Sequence, residues 1–364
     1  MTTTAPAPPP APTPSSTPSD DSLPEVYRPL PGWVPVALGA ASLVLALGLR
    51  SVLGGGPVTT AIVTAVLFTI VIYLVSSRVE GQRRAADRTV TTLVSAAFLV
   101  AMVPLVSLVY TVATKGASRL DAEFFTETMR NVIGDGGGAQ HAIVGTLIIT
   151  ALASLISIPI GLLTAIYLVE YGRGRLARSV TFLVDVMTGI PSIVAGLFAY
   201  ALFVIFFGPG VRFGIGGAVA LSVLMTPVVV RASEEMLKLV PAELREASYA
   251  LGVPKWRTIL KVVLPVAAAG IATGITIAVA RVIGETAPLL LIVGTSKSLN
   301  TDPFDGRMET LPIYIFYSFT QPGVPPEFGI ERAWTAALVL MIIVLVLNAV
   351  ARVISRLFAP KGGR

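Results

Sequence analysis

An all-α, polytopic membrane helix bundle is the fold class this 364-residue sequence predicts, and three observations carry it. Charge is scarce, at 13% of residues, where a typical soluble domain carries about 25%. Hydrophobic residues make up 54% of the chain, with a mean hydropathy of +0.80, and they collect in long runs rather than alternating. Eight of those runs are each long enough for a helix across a hydrocarbon core of about 30 Å. Together these exclude a soluble enzyme, a collagenous chain and a wholly disordered one. The absence of cysteine removes disulfides, iron–sulfur clusters and thiolate zinc sites, and the single histidine, His141, cannot build a multi-histidine metal centre.

Residues 1–32 hold 10 of the 27 prolines among Ala, Thr and Ser, which predicts a solvated, disordered tail. No basic region followed by a short apolar core and a small-residue cleavage site stands there, so it is not read as a signal peptide. The apolar runs lie at 33–49, 57–76, 92–112, 142–168, 179–207, 214–236, 264–293 and 333–355. Gly54-Gly55-Gly56-Pro57 separates the first two as a tight hairpin. A basic linker, 77–91, leads to the third. Within 179–207, Gly189 and Pro191 mark a helix kink or gate, because proline removes a backbone hydrogen bond. Gly270 and Gly274 put a G-x-x-x-G on the seventh run, a spacing that lets helices approach closely. The long connections 113–141 and 294–332 are read as turns with short interfacial helices, and 358–364 as a basic tail.

An even number of spans places both termini on one side. Assigning the tail, 77–91, 169–178, 231–263 and the C-terminus to the cytoplasm puts 18 of the 27 Lys and Arg residues there, eight opposite, and Arg281 within a span. Lys and Arg favour cytoplasmic loops, so both termini are predicted cytoplasmic. The basic balance therefore reports orientation, and nucleic-acid binding loses its main support. No P-loop is present: Gly294-Thr295-Ser296-Lys297-Ser298 lacks the G-x-x-x-x-G-K spacing. If ATP drives this chain, another subunit must bind it.

The connection 239–265 is the most informative segment. Helix formers run from Pro241 to Leu251, Gly252 can close that helix in a left-handed cap, and Pro254 can open the next one at its first turn. Pro265 then begins or kinks the following span. The product is a helix–turn–helix on the inner membrane face, suited to a groove on another protein. Its Glu246-Ala247-Ser248, Gly252 and Leu264-Pro265 resemble the EAA loop of ABC importer permeases, with Ser248 for the second alanine and Val262 for isoleucine.

The resemblance extends over residues 92–355. It is carried by Ala142-Ile143-Val144-Gly145-Thr146-Leu147, Ala165-Ile166-Tyr167-Leu168-Val169-Glu170-Tyr171, Gly189-Ile190-Pro191-Ser192-Ile193-Val194-Ala195-Gly196-Leu197-Phe198 and Leu251-Gly252-Val253-Pro254-Lys255-Trp256. Gly270-Ile271-Ala272-Thr273-Gly274, Arg281-Val282-Ile283-Gly284-Glu285-Thr286-Ala287-Pro288-Leu289 and Leu311-Pro312-Ile313-Tyr314 extend it. These segments resemble the PstA-type permease of phosphate-specific ABC importers. Gly284-Glu285-Thr286-Ala287-Pro288-Leu289 discriminates most, since the sister PstC type usually has Met-Ala after Gly-Glu-Thr.

That resemblance implies a six-span type I importer core at 92–357, preceded by two extra spans at 33–91, in a bacterial cytoplasmic membrane. It implies a non-catalytic subunit that moves phosphate inward, with ATP and magnesium held by two PstB-type ATPase partners. A PstC-type permease and an extracytoplasmic PstS-type phosphate-binding protein would complete the assembly, with lipid around it. Coupling falls to Glu246, Ala247, Gly252, Trp256, Leu264 and Pro265, and the substrate pathway to Arg281, Glu285 and Thr286. Sulfate or molybdate is the alternative substrate, and a secondary transporter or channel the alternative class.

Arg281 and Glu285 stand inside an apolar run, where a lipid-facing charge is expensive. On a continuous helix their i, i+4 spacing would let them pair. Counted from Pro265, Arg281 lies about 24 Å along the helix. Its forked guanidinium suits a phosphate, but a static Arg–Glu pair fits the residues equally well. Asp185 reads as an interfacial carboxylate beside the kink, and His141 as an interfacial residue at the start of a span.

Overall fold

The computed structural model describes residues 30–54 and 56–358. Residues 1–29 of the predicted tail 1–32, residues 359–364 of the predicted tail 358–364, and Gly55 of the hairpin lie outside the described residues. The described residues are helical, with no strand among them. Seven helices are long and apolar enough to cross a membrane, and an eighth span is made if a sharply bent pair counts as one. The chain divides into two compact units, residues 1–107 and 108–364.

The first unit contains α1 (Trp33–Leu53), α2 (Pro57–Val79) and most of α3 (Gln82–Gly116). The basic segment 77–91 is not the loop the sequence suggested: α2 runs to Val79 and α3 starts at Gln82. A carboxylate makes so short a turn stable. Glu80 is buried, and it accepts hydrogen bonds from Arg88 Nε (2.5 Å) and Nη2 (2.8 Å), Ser76 Oγ (2.7 Å) and the Leu30 backbone N–H (2.6 Å). The Arg88 guanidinium leads in holding the Glu80 carboxyl at about 2 against desolvation, with the Leu30 and Ser76 donors assisting.

A carboxyl whose folded pKa lies below its unfolded value adds stability above the unfolded value, about 4.5 here, and loses it as pH falls toward about 2. Thermal melts of the purified protein should therefore drop on going from pH 5 to pH 3. Glu80→Gln should melt lower at pH 7 and lose less across that window. Equal acid sensitivity in both proteins would show that Glu80 contributes no such term.

The second unit centres on α8 (Gly214–Lys238), which packs against α5 (Gln140–Ile166) and α11 (Leu264–Val282). Small residues permit the approach. A Cβ on Gly274 would come within 2.5 Å of Ala232 Cβ, and one on Gly161 within 2.7 Å of Val229 Cγ1. Gly270 similarly faces Met236, so the G-x-x-x-G stripe is a packing surface. The core around α8 gathers Ile149, Leu221, Met225, Val229, Leu289 and Ile292. The final helix, α14 (Pro326–Phe358), starts seven residues earlier than hydropathy suggested and packs on α11 and on α13 (Leu311–Thr320).

Two predicted spans differ more substantially. The run 179–207 is not one helix: α6 (Gly174–Thr188) and α7 (Ser192–Phe207) meet at 109°. Gly189 ends α6 and Pro191 caps α7 in an extended conformation (ψ 137°), which the carbonyl geometry of a continuing helix cannot accommodate. The run 264–293 is also broken. A continuous helical stretch runs from Lys255 to Val282, and a separate short helix, α12 (Ala287–Ile292), follows. The span thus begins ten residues before Pro265. The missing proline N–H is absorbed because the preceding turn, Ile259–Val263, is widened into a π-helix.

Candidate functional site: the coupling loop and the helix breaks

The loop after α8 forms two helices. α9 (Ala242–Ala250) starts after Pro241, and α10 (Lys255–Thr258) starts after Pro254, which sits one residue outside the helix rather than in its first turn. Between them Gly252 has φ +73°. Its N–H donates to Tyr249 O (2.9 Å) and the Val253 N–H to Ser248 O (3.2 Å). That pair of bonds is a Schellman closure, which satisfies two carbonyls at the end of α9. The Ser248 hydroxyl, at the position where the EAA pattern has alanine, lies 2.8 Å from Thr258 Oγ1 and ties α9 to α10.

Behind this pair stands a clamp that the sequence reasoning missed. Arg245 donates to Glu170 Oε1 (3.0 Å from Nε, 2.9 Å from Nη2), and to the carbonyls of Val240 (2.6 Å) and Leu237 (2.9 Å) at the end of α8. Lys255 donates to the Glu170 backbone carbonyl and lies over the Tyr171 ring at 4.8 Å. Glu170 belongs to the π-turn Tyr167–Tyr171 that ends α5. One buried carboxylate at a span end, opposite a basic loop, was the available signal. Removing Arg245 should strand Glu170, whose side chain is 5% exposed, at a cost of about 3 kcal/mol. Arg245→Ala should lower the melting temperature of the purified subunit, and Glu170→Gln should restore part of it. A melting temperature unchanged in Arg245→Ala would remove the clamp from the account.

The six residues assigned to coupling divide into two groups. Glu246, Ala247, Gly252 and Trp256 are exposed on the helix pair, with Leu244, Tyr249 and Leu251 adding apolar surface beside them. Trp256 is 54% exposed and has the Arg257 guanidinium over its ring at 5.2 Å. Leu264 instead packs internally, against the cluster of Ala165, Leu237, Val240 and Val263, and Pro265 follows it on α11. Leu264 supports the loop from behind, while Pro265 is exposed.

The residues the resemblance assigns to the pathway sit at the second break. Arg281 occupies the last turn of α11, where the helix dipole favours a cation, and it is exposed. Glu285 and Thr286 are half-buried in the non-helical link before α12. The expected i, i+4 pair does not form: the helix ends at Val282, and no ion pair joins Arg281 to Glu285 among the described residues. The depth estimate changes too. Lys261, exposed on the same continuous helix, precedes Arg281 by 20 residues, roughly 30 Å and the thickness of the hydrocarbon core. Arg281 therefore lies about one hydrocarbon-core thickness along the helix from Lys261.

The two breaks meet through their following helices. α7 packs on α12, and a Cβ on Gly196 would come within 2.5 Å of Pro288 Cα. Arg212 supports α12 by donating to the carbonyls of Leu290 (3.0 Å) and Leu291 (2.8 Å), and Gly294, with φ +75°, closes that helix. The Gly294–Lys297 run thus ends a helix, whereas a P-loop opens one. Asp185 pairs with Arg231 of α8 and is exposed.

His141 stands at the start of α5 and is buried among its neighbours. It is 2% exposed, 3.3 Å from Glu309 Oε2, and edge-on to Tyr314. Nearby, a cavity of about 660 Å³ is lined by Thr295, Lys297, Glu309, Tyr314, Tyr317 and Arg332, among others, and not by Arg281, Glu285 or Thr286.

Residues 157–362 match the family described as binding-protein-dependent transport system inner membrane component. The chain is 47% identical over 276 residues to phosphate transport system permease protein PstA 1 of Mycobacterium tuberculosis, covering 75% of this chain and 90% of that protein. It is 39% identical over 292 residues to the PstA permease protein of Yersinia pestis, covering 79% and 96%. In fold it is similar to a chain of a bacterial alginate ABC transporter crystallised with a pentasaccharide-bound periplasmic protein, at a TM-score of 0.53 and 14% identity, over 76% of this chain and 97% of that one.

Proposed function

This chain belongs to the binding-protein-dependent transport system inner membrane component family, and on that premise we propose how its parts serve phosphate import. It is a membrane-embedded permease subunit of a phosphate ABC importer. A PstC-type permease would pair with it, two PstB-type ATPases would dock on its inner face, and a PstS-type binding protein would deliver phosphate to its outer loops. Both termini would then be cytoplasmic. Nucleotide and magnesium belong to the ATPases, so this chain performs no hydrolysis itself.

The observation that carries the reading is the α9–α10 pair. It presents Glu246, Ala247, Leu251 and Trp256 outward and is bound rigidly by Arg245 and Lys255 to the end of α5. A push on such a loop is transmitted to α5 and α8, whose ends it grips, and not dissipated in a flexible connection. Closure of the ATPases would drive inward-facing and outward-facing states through those helices. Gly189 and Pro191 would act as the hinge between α6 and α7. Arg281, at the far end of the span, would offer a forked cation to the entering anion, with Glu285 and Thr286 polar in the adjoining link.

Specificity is tested by uptake of radiolabelled phosphate in cells carrying the complete complex. Unlabelled phosphate should compete, and equal concentrations of sulfate or molybdate should not. Equal competition by either would reassign the chain to that oxyanion.

A further inference from the structure

The cavity of about 660 Å³ near His141 has no part in the transport reading so far. Its walls come from 129–134, 295–297 and 309–332, all within the two long connections that the charge count places outside. Its volume lies in the range of small-molecule sites. Three charged side chains line it, Lys297, Arg332 and Glu309, so cations outnumber carboxylates there. Lys297 is exposed, and no ion pair or hydrogen bond engages its ammonium among the described residues. Arg332 is buried, and only its Nη1 is engaged, by the carbonyls of Gly134 (2.8 Å) and Gly136 (3.0 Å). Asp135 and Glu331 act on Arg332 from beyond ion-pair distance, and Asp135 is joined to Arg119 at 3.3 Å. Glu309 is buried, its Oε2 3.3 Å from His141 Nε2. The Tyr314 hydroxyl is buried in the wall and completes no hydrogen bond of ordinary geometry. Ser318, one turn along α13, is the polar side chain beside it and lines the cavity too.

We propose that this cavity binds inorganic phosphate, held by Lys297, Arg332 and the Tyr314 hydroxyl, and that Glu309 selects it by accepting the anion's own P–OH. An ammonium and a free guanidinium edge are charge-assisted donors to an oxyanion. The buried Tyr314 hydroxyl lacks an acceptor, which a phosphate oxygen supplies. An ionised carboxylate can only accept a hydrogen bond. Phosphate at neutral pH keeps a proton to offer it, whereas sulfate and molybdate carry none and meet like charge instead. A site built to take a hydroxyl's hydrogen bond rejects an analogue that lacks one. The choice of phosphate rests on the transport reading. Because Arg281, Glu285 and Thr286 do not line the cavity, it is a second station for the same anion.

The test is retention of radiolabelled phosphate by the complete complex, purified without binding protein and carrying Arg281→Gln throughout to silence the other station. Phosphate should be retained, and equal sulfate should not displace it. Lys297→Gln, at an exposed position, should cut retention about tenfold with the melting temperature unchanged. Tyr314→Phe should cut it about fivefold. Glu309→Gln should lower phosphate retention and let sulfate compete equally. Retention unaltered by Lys297→Gln, or equal competition by sulfate before Glu309 is changed, would overturn the proposal. Phosphate uptake by the wild-type complex without Lys297-dependent retention would overturn this site and leave the transport reading standing. Lys297-dependent retention in a complex that takes up no phosphate would keep the site and overturn the transport reading.

Discussion

Gly252→Val is expected to weaken both phosphate uptake and the ATPase response to binding protein while leaving the subunit in the membrane. The residue holds φ +73° between α9 and α10, and no heavy atom lies within 4 Å of where its Cβ would stand. The cost is therefore conformational and not steric crowding. A β-branched residue in the left-handed region pays roughly 1–2 kcal/mol, and it must break either the Gly252–Tyr249 or the Val253–Ser248 bond to escape. Both bonds hold the exposed helix pair in one shape. Uptake should fall by about tenfold, with the ATPase response to binding protein reduced in parallel. Gly252→Asn, which tolerates the left-handed region, should retain most activity. The measurement is uptake alongside ATPase rate in the purified complex. A valine variant with wild-type values of both would remove the loop from the coupling path.

The second large effect is expected at Arg281. An exposed arginine in the last turn of a span, unpaired with Glu285, is available to an anion in a way that a locked pair is not. A hydrogen bond to a charged group contributes about 1.5–3 kcal/mol, so Arg281→Gln should slow phosphate uptake by roughly 10- to 100-fold. Arg281→Lys keeps the charge and loses the fork, and should fall between. The uptake rate is read together with assembly of the complex on a sizing column. Assembly should be intact in both variants. Wild-type uptake by Arg281→Gln would place the residue outside the pathway.

The two halves of the EAA-like pattern were legible to different degrees. The turn was readable because Gly252 alone is free to take the left-handed conformation while the flanking prolines fix theirs, and the structure closes α9 at that glycine. The division of labour within the pattern was not, because burial of Leu264 depends on Ala165 and Leu237, about 100 and 27 residues away in sequence. The same limit hid the Arg245–Glu170 clamp, whose partners are 75 residues apart. Hydropathy found each apolar run but not its continuity. Residues 283–286 interrupt the seventh run at Gly284 and ahead of Pro288, which opens α12 and cannot continue the helix, so the pairing of Arg281 with Glu285 failed. Gly189 and Pro191 announced the other break, though not its 109° angle. Burial of His141 against Glu309 required a contact across 168 positions and had no sequence signal.

The central claim is that this chain conducts phosphate only when an ATPase drives it through the α9–α10 loop. Proteoliposomes containing the complete complex, loaded with ATP and magnesium on the ATPase side and supplied with binding protein on the other, measure this directly. The account predicts accumulation of radiolabelled phosphate against its gradient with ATP, and none with a non-hydrolysable analogue. Accumulation of the same size without ATP, driven by an ion gradient alone, would contradict it.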